Sequence, residues 1–514
     1  MSRAYACLAA NGNREPHLHK PIIIPIHGNP MNIDETIEAF RCRVLDLDCK
    51  RIVLRQNRDD GERFEGPGYI RQTEDGSLEF KLYVVKLENV KPMGHLEALS
   101  KTVAGQLHAD DYFYALTAVG HDGTSWTAAR ILPAPHWDMR DKSVLVIGKM
   151  QSIVACLERS QSNHYLRLSF FDEFEVPLHL MSETEEHGNK YMVRDRATFE
   201  ACDSQFEVRK REGSGATVIE VTSGSSFPTA FHLRVQEALQ YITGKSAFWG
   251  ARIESCGDKL EVELASPQRK SPRTQFDPPI SPHSIDFYKY GWQLFARYLA
   301  YVVAKTEGTH WNPVAYHLYN ACESSANSVD AWAIGIAVAV EALASLIQLP
   351  DDEAKAQRVS LFQDRILRWV DEQEDFADLF PRVKGLIDSM GNKRPQDALH
   401  ALAESGHVDK DYVSSWGELR NRHVHPKLKD LKKPDAIDYQ KLLDRIHRVE
   451  TLLRQLTYYL IGYEGPFTDY GATNFPSKQY PLTEGCIPVE APQKSKPGHL
   501  TRLAWMIRGW FGSS

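Results

Sequence analysis

Residues 266–283 read SPQRKSPRTQFDPPISPH, a stretch with five prolines, three Lys or Arg side chains and no apolar repeat of either period. Proline fixes its own φ and pushes the preceding residue out of the helical region, so this composition predicts a linker. The stretch decides the fold because hydrophobic periodicity changes across it. Before it the period is two: LEFKLYVV places Leu78, Phe80, Leu82 and Val84 on one face, YLRLSFF does so with Leu166, Leu168 and Phe170, and KLEVEL with Leu260, Val262 and Leu264. Asp-Gly pairs at 60–61, 75–76 and 122–123 supply turns. Half-polar strands of this kind make antiparallel sheet, interrupted by one helix around TAFHLRVQEALQYIT (229–243). Residues 1–265 are therefore expected to be a β-rich region of one or two sandwich or barrel units, acting as a sensing or regulatory part.

After the linker the period becomes helical. At least six helical segments follow, and in the last of them Ile446, Val449, Leu453, Leu456 and Leu460 step by three and four along one core-facing stripe. Residues 284–463 are expected to form an all-helical domain, giving an α+β multidomain chain. Residues 464–514 are rich in Pro and Gly and end in HLTRLAWMIRGWFGSS (499–514), read as a short amphipathic terminus that docks on its own protein.

Bulk properties narrow the function classes. The chain has 514 residues, 42% hydrophobic and 25% charged, which predicts two to four domains of an ordinary globular protein. Its net charge of −7 requires that a nucleic-acid partner be met by a local basic patch. Eight scattered cysteines with no Cys-x-x-Cys pair argue for a cytoplasmic location and against a thiolate zinc site. The most apolar segment, Ala331–Leu349, is nearly long enough to span a bilayer but carries Glu341 near its middle, so a buried core helix is expected and stable membrane insertion is not.

The richest cluster of chemistry is LRNRHVHPKLKDLKK (419–433). Arg420 and His425 are separated by four residues, a spacing shared by Arg14 with His19 and by Arg159 with His164. Context separates the three. Pro16 forbids a regular helix in the first, the second lies in a turn-like run beside a strand, and only the third ends a helix within a helical region. On a helical wheel Tyr412, Val413, Trp416, Leu419, Arg420, His423 and Val424 share a sector, while Asn421 and Arg422 point elsewhere. An arginine in a packed stripe needs an anionic partner, and Glu341, a carboxylate in an apolar helix, is the candidate. That pair would serve either as a structural ion pair or as a device that orients Arg420 in a pocket. Between 420 and 433 stand six cations, Arg420, Arg422, Lys427, Lys429, Lys432 and Lys433, against the single acid Asp430, an excess suited to a polyanion.

A helical domain with Arg-Asn-x-x-x-His at a helix end, together with the Glu341-Ala342-Leu343 element in an earlier apolar helix, resembles the HEPN domain, particularly its Apea-like branch, over residues 284–463. The resemblance implies a metal-independent endoribonuclease that needs no cofactor, a homodimer whose two motifs line one cleft, often found in toxin or phage-defence systems. It makes Arg420 and His425 catalytic, with Asn421 supporting them. Those residue types suit the chemistry. RNA carries its own nucleophile in the 2′-hydroxyl, so a site needs a proton-transfer group near neutral pH and a cation for the phosphorane oxygens. Pro426 ends the helix at residue 425, which frees His425 to turn back toward Arg420. His423 is assigned to packing or substrate contact.

Rival signals are weaker. Gly-Lys-Ser at 244–246 lacks the earlier glycine of a P-loop, where Leu239 stands. His17, His19 and His27 lack an acidic partner at convincing spacing and read as edge-strand histidines, so no metal site is expected. The competing class is a non-catalytic helical scaffold that binds RNA or protein, with the β-rich half as its ligand-recognition module.

Overall fold

The computed structural model describes residues 31–90, 105, 107–138, 140–158, 164–186, 189–210, 215–256, 258–267, 276–348, 352–372, 380–389, 394–424 and 439–482. Helix α1 (Ile33–Arg41), capped by the Asn32 side chain, precedes β1 (Asp46–Gln56), β2 (Arg63–Gln72), β3 (Leu78–Tyr83) and β4 (Lys86–Glu88). Then come β5 (Tyr114–Gly120), β6 (Ser125–Ile131), β7 (Ala134–Asp138), β8 (Ser143–Met150), β9 (Ser152–Glu158) and β10 (His164–Phe170). The sheet is completed by β11 (Leu180–Glu186), β12 (Asn189–Ala201), β13 (Ser204–Lys210), β14 (Thr217–Ser223), the helix α2 (Phe231–Thr243), β15 (Trp249–Cys256) and β16 (Lys259–Ala265).

The period-two segments behave as their patterns require. Leu78, Phe80 and Leu82, then Leu166, Leu168 and Phe170, then Leu260, Val262 and Leu264 are all buried. Among the described residues the strands join into one antiparallel sheet of sixteen, running β11-β12-β13-β14-β10-β15-β16-β9-β6-β5-β1-β2-β3-β8-β7, with β4 paired to β2. The antiparallel sheet expected of the first 265 residues is one hydrogen-bonded path, in which β15 and β16 bridge β10 to β9.

This path serves two apolar cores. One gathers α1 with β1–β9 and the inner faces of β15 and β16, including Ile52, Phe80, Val146, Ile253 and Val262. The other starts at Leu166, Leu168 and Phe170 on β10, takes in β13, β14 and α2, and runs without interruption into the helices beyond residue 284.

Those helices are α3 (Ile285–Lys305), α4 (Pro313–Ser324), α5 (Val329–Ser345), α6 (Asp352–Asp371), α7 (Phe380–Ser389), α8 (Pro395–Glu404), α9 (Lys410–His423) and α10 (Tyr439–Ile461). Ala331–Leu349 falls largely in α5, where Trp332, Ile336, Val340 and Leu343 are buried, and no helix among the described residues is long and apolar enough to cross a membrane. Sheet and bundle are joined by aromatic packing. The Phe199 ring on β12 stacks on Trp292 of α3 at 4.4 Å, and the Trp292 indole donates to the Pro177 carbonyl at 2.7 Å. A Cβ at Gly291 would come within 2.7 Å of the Pro177 ring, so only glycine allows α3 this approach.

The proline-rich stretch is bound to the bundle at its C-terminal end. Phe276 and Ile280 are buried, and Arg454 of α10 donates to the Pro278 carbonyl at 2.9 Å and also to the Asp277 carbonyl. Prolines bring carbonyls without N–H groups, so such a segment cannot satisfy itself and needs donors from outside. Glu450 completes the arrangement by accepting from the Asp277 N–H at 3.1 Å and pairing with Arg454.

The segment read as a Pro/Gly-rich tail begins with a hairpin, β17 (Gly465–Thr468) with β18 (Ser477–Tyr480), whose Phe467 and Tyr480 pack into the helical core. Thr468 accepts from the Ser281 N–H at 2.8 Å, and Leu482 donates to the Gly406 carbonyl at 2.9 Å. The amphipathic terminus 499–514 lies outside the described residues.

Candidate active site

Helix α9 carries the Arg-Asn motif at its C-terminal end. Asp409 caps its N-terminus by accepting from the Asp411 N–H at 2.9 Å, and Val424 closes its last turn by donating to the Arg420 carbonyl. Two side-chain contacts hold the helix in register. The Tyr412 hydroxyl reaches both oxygens of the fully buried Asp469 at 2.7 and 2.8 Å, and the Trp416 indole donates to the Ala337 carbonyl of α5 at 3.0 Å. Tyr412, Val413, Trp416 and Leu419 are buried, as the wheel requires.

Arg420 finds the acid that its position demands. Its Nε donates to Glu341 at 2.8 Å and its Nη2 at 3.1 Å, a two-point contact that matches guanidinium to carboxylate. The guanidinium also lies 5.8 Å from the centre of the Trp416 ring. Both partners stay open to solvent, with 30% and 34% of their side chains exposed. The Glu341 carboxylate raises the Arg420 pKa above its ordinary value, so the cation is permanent.

His423 points to a different place. Its Nδ1 faces Asp330 at 3.3 Å, its side chain is 9% exposed, and its buried Nε2 has no partner among the described residues. Burial lowers its pKa, and Asp330 opposes that shift. Asp330 and Glu341 are eleven positions apart on α5, about 16 Å along a helix axis, so Arg420 and His423 are anchored at opposite ends of one helical face. Between those anchors the same face presents Ile334 and Val338, 41% and 45% exposed. Asn421 and Arg422 are exposed, as expected from their wheel positions. His425, Lys427, Lys429, Lys432 and Lys433 lie outside the described residues, as do His17, His19 and His27. Among the described residues no three His, Cys, Asp or Glu side chains are grouped to hold a metal ion.

Arg420 and Glu341 are therefore brought together and His423 is set apart from them. Two positioning groups escaped the sequence: Asp330, which resembles any first-turn helix acid, and Asp469, which stands in a Pro/Gly-rich region. An Asp three residues beyond a Gly-Pro pair, next to Thr and Tyr, carried no spacing signal. No protein-family model, curated protein or solved structure matches this chain.

Proposed function

We propose that the chain is a metal-independent endoribonuclease of the HEPN kind that acts as a homodimer, a cytoplasmic toxin or phage-defence effector restrained by its β-rich half. The observation that carries this reading is the placement of Arg420 in the last turn of α9: a permanent cation held at two points by Glu341, with 30% of its side chain exposed, next to the exposed Asn421. In the proposed reaction the neutral His425 imidazole takes the 2′-hydroxyl proton as that oxygen bonds to phosphorus. The P–O5′ bond breaks, and a protonated imidazole returns a proton to the 5′-oxygen, leaving a 2′,3′-cyclic phosphate. Arg420 neutralises the non-bridging oxygens, with Asn421 as a further donor. Arg422, Lys427, Lys429, Lys432 and Lys433 contribute phosphate contacts.

The dimer rests on α5. Ile334 and Val338 form an exposed apolar patch midway between the His423–Asp330 and Arg420–Glu341 pairs, so an antiparallel two-fold contact there would set the basic end of each copy against the acidic anchor of the other. A scaffold that binds RNA without cutting is favoured by one observation, that Arg420 already spends two donors on Glu341.

Cleavage of total RNA and tRNA in EDTA by the full chain tests the proposal, with Arg420→Ala, His425→Ala and His423→Ala alongside. Cleavage that leaves cyclic phosphate ends and disappears with the first two changes supports it. Loss with His423→Ala and retention with His425→Ala would reassign the acid/base group. RNA binding without cleavage under all conditions favours the scaffold.

A further inference from the structure

Helix α6 carries a face that none of the preceding chemistry uses. It pairs with α7, where Val370 and Ile387 are buried and Gln363 donates to the Ile387 carbonyl at 2.6 Å. Outward from that contact Leu361, Phe362 and Trp369 are 63%, 49% and 61% exposed. Large side chains left open to this degree in a cluster mark an interaction surface. Their neighbours around the helix say what kind. At about 100° per residue, Arg368, Leu361, Arg365, Arg358, Trp369 and Phe362 fall in that order within a sector of about 120°. All three arginines are exposed, and none forms an ion pair with another described residue. The four acids of the helix, Asp352, Glu353, Asp364 and Asp371, stand at positions outside the sector, and Glu372 follows the end of the helix.

We infer that this face of α6 binds single-stranded RNA, with Trp369 and Phe362 as stacking platforms for bases and Arg358, Arg365 and Arg368 on phosphates. The order of residues favours a nucleic acid over a lipid surface. A helix lying in a bilayer needs an unbroken apolar side to sink beneath the headgroups. Here Arg365 and Arg358 stand between Leu361 and the two aromatics, so the apolar strip is interrupted by fixed charge. Alternation of π-faces with cations is what a strand of stacked bases on a phosphate backbone requires. The helix as a whole balances four acids with four bases, so the positive charge is confined to this face, where Arg358, Arg365 and Arg368 are exposed. The choice of RNA as ligand rests on the ribonuclease reading, but binding is measurable without cleavage.

The test uses the full chain and a fluorescein-labelled 2′-O-methyl oligoribonucleotide of about twenty nucleotides, which has no 2′-hydroxyl to attack and is long enough for a site of this kind. Anisotropy titrations across a salt series compare wild type, Arg358→Glu with Arg365→Glu, and Trp369→Ala with Phe362→Ala. The charge reversal should weaken binding more than tenfold and flatten the dependence of log K on log salt by roughly one to two. The aromatic pair should cost about tenfold and leave the salt slope unchanged. All these positions are exposed, and unchanged thermal melting confirms the folded state of each variant. Equal affinities across the series overturn the inference, as does binding to anionic phosphatidylserine vesicles that is lost in these variants while RNA binding is kept. Arg420→Ala separates the two proposals: it should fail to cut ordinary RNA, while the more than tenfold loss of oligonucleotide affinity caused by the α6 charge reversal persists in its background. If Arg420→Ala still cuts, the assignment of the active site falls, and the α6 result stands by itself.

Discussion

Two arginines on neighbouring helices of one bundle each bind a glutamate, and the surroundings of the two pairs are opposite. Arg454 and Glu450 are 1% and 0% exposed, locked to the backbone of 277 and 278 and enclosed by aromatic rings, with Phe276 and Tyr470 5.3 and 5.2 Å from the guanidinium. Arg420 and Glu341 keep about a third of each side chain in water. The first arginine is buried among backbone carbonyls, its glutamate and two rings, which assigns it to holding the fold together. The second keeps 30% of its side chain exposed beside Glu341, the condition a ligand-binding cation must meet. Under the proposed function, identical chemistry separates into architecture and site by burial.

That contrast is open to attack at its strongest point first. Glu450→Ala should strand Arg454 without its counter-charge in a water-free place and cost about 3–5 kcal/mol in denaturant unfolding. A loss below about 1 kcal/mol would mean that the buried pair is not structural. Arg420→Ala should do the reverse, lowering RNA cleavage by about 10²–10³-fold, the usual cost of removing one transition-state donor, while unfolding stays within about 1 kcal/mol of wild type. A large stability loss with intact activity would exchange the roles assigned to the two arginines. Asp469→Ala removes the acceptor of the Tyr412 hydroxyl and the partner of Lys478, and should cost about 1–3 kcal/mol, the penalty for an unmatched buried polar group. The same change should quicken amide exchange in α9, which would show that this helix is held from the β17–β18 hairpin.

A smaller effect sharpens the distinction between Arg420 and His423. Burial holds the folded His423 imidazole below its ordinary 6.5, against the pull of Asp330 and with Arg422 and Arg445 adding to the shift. The unfolded chain therefore takes up a proton near 6.5 that the folded chain refuses. Its contribution to stability is complete above that pH and is lost as pH falls through the unfolded value toward the folded one. His423→Gln should flatten the decline of the melting temperature between pH 7 and 5, and Asp330→Asn should steepen it. No change in either profile would mean that His423 is solvated in solution.

What was legible in the sequence follows from how local each feature is. Leu78, Phe80 and Leu82 announce a strand because alternation is a property of neighbouring residues, and all three are buried. The need of Arg420 for an anionic partner was also legible, since Trp416, Leu419 and Arg420 share a wheel sector and Glu341 is conspicuous in an apolar helix. Asp469 and the buried end of the proline-rich stretch were not. Their roles depend on contacts such as Asp277 to Glu450 and Tyr412 to Asp469, made across 173 and 57 positions. Composition describes a proline-rich stretch correctly as unable to satisfy its own carbonyls. It cannot say that Arg454 will do so.

The core shared by β10–β14 and the helices has a consequence for how this gene can be divided or recombined. A break at residues 266–283 follows the change of periodicity but cuts through a shared interior, leaving Trp292 and Phe295 on one fragment and Phe199 and Phe206 on the other. Each fragment would present an aromatic wound to water. Grafting a different N-terminal region onto these helices therefore means carrying β10–β14 and α2 along with them, so an exchange has to be made among β1–β9, which pack in the other core.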